Sequence, residues 1–212
     1  YGQTETVILC GVFDGMTVKP GSMGLPAPGV DLDVIDEKGN RLAPDIEGDV
    51  AVFLDPRPQG LFLGYKNDAE RTNATRRGNW YLTGDRAYRD GDGYFWFVGR
   101  GDDVIISAGY RIGPFEVESA LIEHPSVAES AVVASPDETR GEIVKAFVVL
   151  VKGAAPSDAL ARELQDHVKR VTAPYKYPRK IEFVETLPKT ISGKIIRKEL
   201  REREWKGKGG HA

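Results

Sequence analysis

The chain has a single cysteine, Cys10, among 212 residues. No internal disulfide is possible, and a reducing compartment is expected. No apolar run approaches the roughly 18 residues that a membrane span needs, and no signal-peptide pattern opens the chain. Neither sign of charge is in large excess. A net charge of −3 gives no basis for a nucleic-acid or anionic-membrane partner. His124 and His167 are isolated and have no cysteine partners, so they read as helix-surface residues without a metal. There is no internal repeat, and the only biased stretch is the tail 206–212, which reads as frayed.

What remains is an ordinary globular composition, 41% hydrophobic and 29% charged. Glycine and short apolar runs crowd the first half. Val7–Cys10, Val30–Asp36, Gly48–Leu54 and Tyr94–Val98 have strand length, with Gly, Pro, Asn and Asp turns between them. One short helix is expected around Asp68–Thr75. This half reads as a small antiparallel β-barrel or sheet.

The character changes near Gly99-Arg100-Gly101-Asp102. Pro114 suits the first turn of a helix, where its missing N–H costs nothing. Val117, Ala120 and Leu121 share a face of that helix, and Pro125 stops it. Val127–Ala134 and Ile143–Val151 are β-branched strands. Ser157 can cap a second helix with a stripe of Leu160, Leu164, Val168 and Val171. Ile181–Val184 reads as a strand and Ile196–Trp205 as a charged terminal helix. The expected fold class is α+β: a β-rich part over 1–99, then a compact α+β domain over 100–212, joined by a hinge.

Five motifs carry chemistry, each with a bland alternative. Tyr1-Gly2-Gln3-Thr4-Glu5 reads as a tight polar turn. Glu5 could hold Mg²⁺, a hard cation that takes oxygen ligands, and Thr4 could donate to a phosphate. Alternatively, both are solvated or capping residues. Trp80-Tyr81-Leu82-Thr83-Gly84-Asp85 reads as a strand that ends in Gly-Asp. Asp85 is either a turn aspartate or a carboxylate that accepts from a ribose diol. Arg100 could bind the same sugar or a phosphate through its planar fork, or pair Asp102 or Asp103 at the surface.

Ser107–Gly113 lacks the spacing of a dinucleotide fingerprint. It is either a plain hairpin turn or a place where glycine lets backbone approach an elongated ligand. Leu187–Lys194 reads as a mobile loop with two lysines and without the full Walker A spacing. It is solvated surface, or it delivers positive charge to a phosphoryl group. Lys169-Arg170 and Tyr175–Lys180 are locally basic with interleaved tyrosines. They form a solvated face or a site for a phosphorylated adenine ligand.

The order YGQTE, Gly84-Asp85, GRGDDVI at 99–105, SAGYRIGPFEVE at 107–118 and LPKTISGK at 187–194 resembles the adenylate-forming superfamily. The resemblance covers essentially the whole chain. The stretch from Val171 to Arg201 is closest to medium-chain acyl-CoA synthetases and also similar to benzoate-CoA ligases. That resemblance implies a two-step reaction. A carboxylic acid and ATP give acyl-adenylate and pyrophosphate, and CoA then gives the thioester and AMP.

By motif, Tyr1, Gly2, Gln3 and Thr4 would line the AMP site, with Thr4 on the phosphate or the substrate carboxylate. Glu5 would hold Mg²⁺, and Asp85 and Arg100 the ribose. Lys194 would bridge carboxylate and α-phosphate. Asp102 falls at the family's hinge, about which the small domain would turn so that the Gly109 loop replaces Lys194. Ala108, Gly109, Tyr110, Arg140, Lys169, Tyr177, Pro178 and Arg179 would contact CoA, and Arg111 would lie near the phosphate or acyl group.

The family's Ser/Thr/Gly-rich phosphate loop has no match here, and its acyl pocket is expected upstream. The expectation is therefore the last part of the large adenylation domain plus the small domain, inactive alone. Tyr1–Glu5 is expected to be poorly ordered. Its partners would be a carboxylic acid, ATP, CoA and the upstream part of the adenylation domain, with no nucleic acid. The expected address is the bacterial cytoplasm, or the mitochondrial matrix in a eukaryote. An aryl-CoA (benzoate-type) ligase, a peptide-synthetase adenylation domain and a non-catalytic CoA- or nucleotide-binding module are the alternatives.

Overall fold

In the computed structural model, which describes residues 1–206, the chain divides into two units, Tyr1–Asp102 and the chain from Asp103 on. The tail read as frayed lies outside the described residues, apart from Lys206.

The first unit carries β1 (Gly2–Gln3), β2 (Val7–Ile8), β3 (Cys10–Gly11), β4 (Leu25–Pro26), β5 (Leu32–Ile35), β6 (Gly48–Phe53), α1 (Ala69–Ala74), β7 (Arg76–Arg77), β8 (Trp80–Arg89) and β9 (Phe95–Arg100). Every pairing is antiparallel. The main sheet runs β5-β6-β8, and the far edge of the long β8 is shared by β7 and β9. Val34, Val50, Val52, Tyr81, Ala87 and Phe95 fill its core with Leu9 and Cys10.

Two features depart from the sequence reading. The apolar run Val7–Cys10 is two short strands divided at Leu9, where the Leu9 and Cys10 N–H groups both donate to the Tyr1 carbonyl at 2.8 and 3.1 Å, and Val7 itself takes φ +59. Gly84-Asp85 lies inside β8 as an irregularity of the ladder, and β8 continues to Arg89. Gly84 has φ +78, which a glycine adopts without a Cβ penalty. The Thr83 hydroxyl accepts from the Asp85 N–H at 3.1 Å and donates to the Val50 carbonyl at 3.0 Å. It thus satisfies the backbone groups that the irregularity frees.

The second unit carries β10 (Ile105–Ser107), β11 (Tyr110–Ile112), α2 (Pro114–Ile122), β12 (Val127–Asp137), β13 (Gly141–Leu150), α3 (Asp158–Val171), a 3₁₀ turn at Pro174–Lys176, β14 (Lys180–Phe183) and α4 (Arg197–Lys206). The β12–β13 hairpin is its spine, with β14 parallel to β13 and β10 joined at Ser107–Gly141. Both faces of this sheet are covered, which explains the nearly unbroken apolar runs of its strands. Val132, Ala134, Val144, Ala146 and Val148 pack with α2 and α3, while Ala131, Val133 and Phe147 pack with Leu187 and Leu200 of α4. The mixed architecture matches the α+β expectation.

The helix starts follow their local chemistry. Ser157 caps α3 by accepting from the Leu160 N–H at 3.1 Å, and α2 opens on Pro114. The apolar stripe of α3 ends at Val168, since Val171 is exposed. The histidines also depart from the reading. His124 is buried and packs edge-on against His167 at 5.3 Å, with Glu163 at 3.3 Å.

Candidate active site

In the first unit the predicted residues converge on Asp85. Its carboxylate is 5% exposed and accepts from three side chains. The Tyr1 hydroxyl and Gln3 Nε2 (2.9 Å) reach Oδ2, and Arg100 Nη1 reaches Oδ1 at 3.3 Å. Asp85 and Arg100 are direct partners across the β8–β9 ladder. Burial first, then the Asp85 charge, pushes the Tyr1 phenol upward, so it stays a donor. Arg100 also approaches Asp102 at 3.5 Å, and these carboxylates outweigh burial in raising its guanidinium. A carboxylate has about four lone-pair sites, so Asp85 keeps acceptor capacity beyond these donors.

The opening motif is a hairpin. β1 and β2 pair, and Thr4-Glu5-Thr6 forms its tip. Rather than being loose, it is anchored. Gln3 Nε2 also binds the Thr83 carbonyl at 2.8 Å, and the Phe62 N–H donates to the Glu5 carbonyl at 2.7 Å. Thr4 is exposed at the tip. Glu5 is half-buried and accepts from the Tyr65 hydroxyl at 2.9 Å. Burial, followed by that bond, raises the Tyr65 phenol and keeps it a donor. Sequence reading missed Thr83 and Tyr65, because hydroxyls that act through a fold carry no motif of their own.

A lone carboxylate held from behind fits Mg²⁺, which is usually bound by one or two carboxylates plus substrate phosphates. Among the described residues no cluster of three or more His, Cys, Asp or Glu could cage a metal.

In the second unit the candidate CoA residues fall into two linked groups. Ala108 and Gly109, with φ +49 and +83, form the two-residue turn between β10 and β11. Both positive angles suit a type I′ hairpin, for which Ala108 pays in strain. The Ala108 N–H donates to the Arg140 carbonyl at 3.2 Å, which brings Arg140 beside the turn. Tyr110 stacks on Tyr175, with centroids 4.4 Å apart and planes 23° apart. Two residues on, Tyr177 is approached by two cations. Lys169 Nζ is 4.3 Å and Arg179 Cζ 4.9 Å from its ring centroid, and Arg179 donates to its hydroxyl at 2.7 Å. Pro178 is buried beside them, whereas Arg111 projects from the exposed part of β11.

Lys194 sits on a hydrogen-bonded turn, not on a loose loop. Its carbonyl accepts from Thr190 N–H at 2.8 Å and its own N–H donates to Thr190 Oγ1 at 3.1 Å. Its side chain is exposed. Among the described residues no carboxylate pairs with its ammonium, whereas Lys189 is bound to Glu129 at 2.6 Å.

Residues 116–194 match the family described as the AMP-binding enzyme C-terminal domain. The chain is 63% identical over 208 residues to the mitochondrial acyl-coenzyme A synthetase ACSM3 of Rattus norvegicus, covering 97% of this chain and 36% of that protein. Among solved structures, ATP-bound MatB from Rhodopseudomonas palustris superposes with a TM-score of 0.84 at 35% identity, over 96% of this chain and 39% of that one. A benzoate CoA ligase from Burkholderia xenovorans LB400 superposes with a TM-score of 0.76 at 39% identity, over 87% and 36%. The chain thus spans little more than a third of the relatives it matches. No described helix is long and apolar enough to cross a membrane. Residues 116–194 therefore form an AMP-binding enzyme C-terminal domain, in a chain homologous to acyl-coenzyme A synthetases.

Proposed function

We propose that this chain is part of an AMP-forming acid–thiol ligase that converts a carboxylic acid, of the medium-chain fatty-acid class, into its CoA thioester. The observation that carries the reading is the Asp85–Arg100 pair, with Tyr1 and Gln3 on the same carboxylate. A buried carboxylate with spare acceptor capacity beside a half-exposed guanidinium suits a ribose diol next to a phosphate.

In the first step the acid's carboxylate oxygen attacks the α-phosphorus of ATP. The bond to the β-phosphate oxygen breaks and pyrophosphate leaves. Asp85 and Arg100 hold the sugar, Thr4 donates to the phosphate, and Lys194 places its ammonium between carboxylate and phosphate. Such positioning with charge stabilisation is what phosphoryl-type displacement mainly needs. Glu5 would hold Mg²⁺, which would supply charge neutralisation to the phosphates. In the second step the CoA thiol loses its proton to solvent, and sulfur attacks the acyl carbon. The C–O bond to AMP breaks and AMP leaves. Rotation about Asp102 withdraws Lys194 and brings in the Ala108–Gly109 turn.

The Lys169–Tyr177–Arg179 and Tyr110–Tyr175–Arg140 groups are suited to the phosphates and adenine of CoA. Arg111 lies on the same hairpin, near the acyl-phosphate end. Relatives named as mitochondrial support a matrix address in a eukaryote, with the cytoplasm the counterpart in a bacterium. The 212 residues alone bind nucleotide weakly and do not turn over.

The higher identity to ACSM3 than to the benzoate ligase favours alkanoate over aryl acids. Assay of the full-length enzyme with butyrate, octanoate and benzoate tests this. Octanoate should give the highest kcat/KM, and a benzoate preference would overturn the substrate class. Absence of acyl-CoA formation with any acid would overturn the ligase reading.

A further inference from the structure

We infer that Glu118 is a positioning residue for Lys194, acting through Arg197. This rests on the ligase reading above and deepens it.

Glu118 lies on α2 and is 5% exposed. A carboxylate so buried must be paired, because an isolated buried charge is very costly. Three donors meet it. Arg197 Nε reaches Oε1 at 2.9 Å and Nη2 reaches Oε2 at 2.6 Å, while the Val132 N–H donates to Oε1 at 2.8 Å. Two parallel N–H···O bonds fix the direction of an arginine as well as its distance. Glu118 is in turn fixed to β12 from two sides, since Ser130 Oγ donates to its main-chain carbonyl at 3.2 Å.

Arg197 opens α4 and follows Lys194 by three residues. The residues between have no slack. Ile195 bridges Lys189 and packs on the cluster that holds Leu187 and Leu200, and the Ile196 N–H binds the Pro188 carbonyl at 2.9 Å. Lys194 itself is tied twice to Thr190 through its backbone. Fixed contacts therefore run from the α2 carboxylate to the Lys194 backbone without a break. The ammonium has no partner among the described residues to aim it, so the backbone must. α2 also begins directly after the β10–β11 hairpin, with Gly113 at its N-cap.

A buried ion pair adds little net stability over an apolar pair of the same size, so its use here is geometric. The charge of Glu118 touches no proposed substrate position, and its effect on the reaction passes through Arg197 to Lys194.

The test uses the full-length enzyme with Glu118→Gln, Arg197→Met and the double variant. Adenylate formation and thioester formation from supplied acyl-adenylate are measured separately. Glu118→Gln keeps an acceptor for the Val132 N–H. The double variant removes both charges together and is the one expected to fold if a single variant does not. The expected result is a fall of about 10–100-fold in the rate of adenylate formation, with thioester formation kept within about twofold, as a misplacement on the ångström scale produces. The double variant should be no worse than the worse single. A thermal shift that accompanies equal loss of both half-reactions, or no loss in either, would overturn the inference while the ligase reading stands. Absence of adenylate formation by the unsubstituted enzyme would overturn the ligase reading, and this inference with it.

Discussion

A Cβ on Gly84 would stand 3.0 Å from Nη2 of Arg100, so the two residues are fitted to each other. Gly84 also has φ +78, a conformation that an L side chain adopts only with strain. Gly84→Ala should therefore cost about 1–2 kcal/mol of stability from the backbone alone. It should also push the guanidinium off Asp85 and weaken AMP binding. Thermal unfolding and calorimetric titration with AMP check this, and an unchanged affinity would show that Arg100 does not need that gap.

Glu5 is the one candidate Mg²⁺ ligand, steadied by Tyr65 at 2.9 Å. Tyr65→Phe should raise the Mg²⁺ concentration for half-maximal adenylate formation by about tenfold, the usual scale for a group that orients a ligand. Glu5→Gln should raise it further. A Mg²⁺ titration with equal midpoints in all three proteins would remove Glu5 from the metal site.

The Tyr110–Tyr175 stack joins the β10–β11 hairpin to the 3₁₀ turn at Pro174–Lys176. An aromatic pair contributes about 0.5–1.5 kcal/mol beyond its buried area, so Tyr175→Ala should raise KM for CoA roughly two- to tenfold. Adenylate formation should be unchanged. Steady-state kinetics with CoA varied decides, and a change confined to adenylate formation would place the stack elsewhere in the cycle.

Cys10 is buried, and desolvation pushes its thiol from 9.0 up to about 12. The neutral thiol is the form that the fold prefers. Its contribution to stability is full below about pH 9 and declines as pH rises toward about 12, where the unfolded chain has already released its proton. Alkylation at pH 8 should be far slower in the folded protein than in urea. Equal rates would mean that the β3 region opens readily.

Much of this architecture was legible in the sequence because local chemistry and packing agree. Pro114 and Ser157 mark helix starts, and the buried faces of α2 and α3 follow their apolar spacing. The α+β class follows from the same signals. The errors lie where one residue overrides a pattern. Leu9 has the composition of a strand interior, yet its N–H and that of Cys10 share the Tyr1 carbonyl, and the run divides there. Gly84 looks like a strand end but allows an irregularity that the Thr83 hydroxyl completes. Val171 has the period of a buried residue but lies at the last, exposed turn of α3, while His124 follows α2 and is covered by His167.

The site was legible as motifs but not as partnerships. Nothing in the spacing pairs Tyr1 with Asp85, 84 residues away, or Glu118 with Arg197, 79 residues away. Such pairs arise from register and helix placement. The Lys194 loop, with its two lysines, reads as mobile, yet Thr190 accepts and donates across it. A threonine at that spacing is a local turn signal that composition hides.

The most direct test of the account is the division of labour at Lys194. In the full-length enzyme, Lys194→Ala should lower adenylate formation by about 100–1000-fold, the scale for losing one preorganised charge at a reacting phosphate. Thioester formation from supplied acyl-adenylate should stay within about threefold, because that step proceeds without the lysine. Equal loss of both half-reactions, or full retention of adenylate formation, would contradict the account.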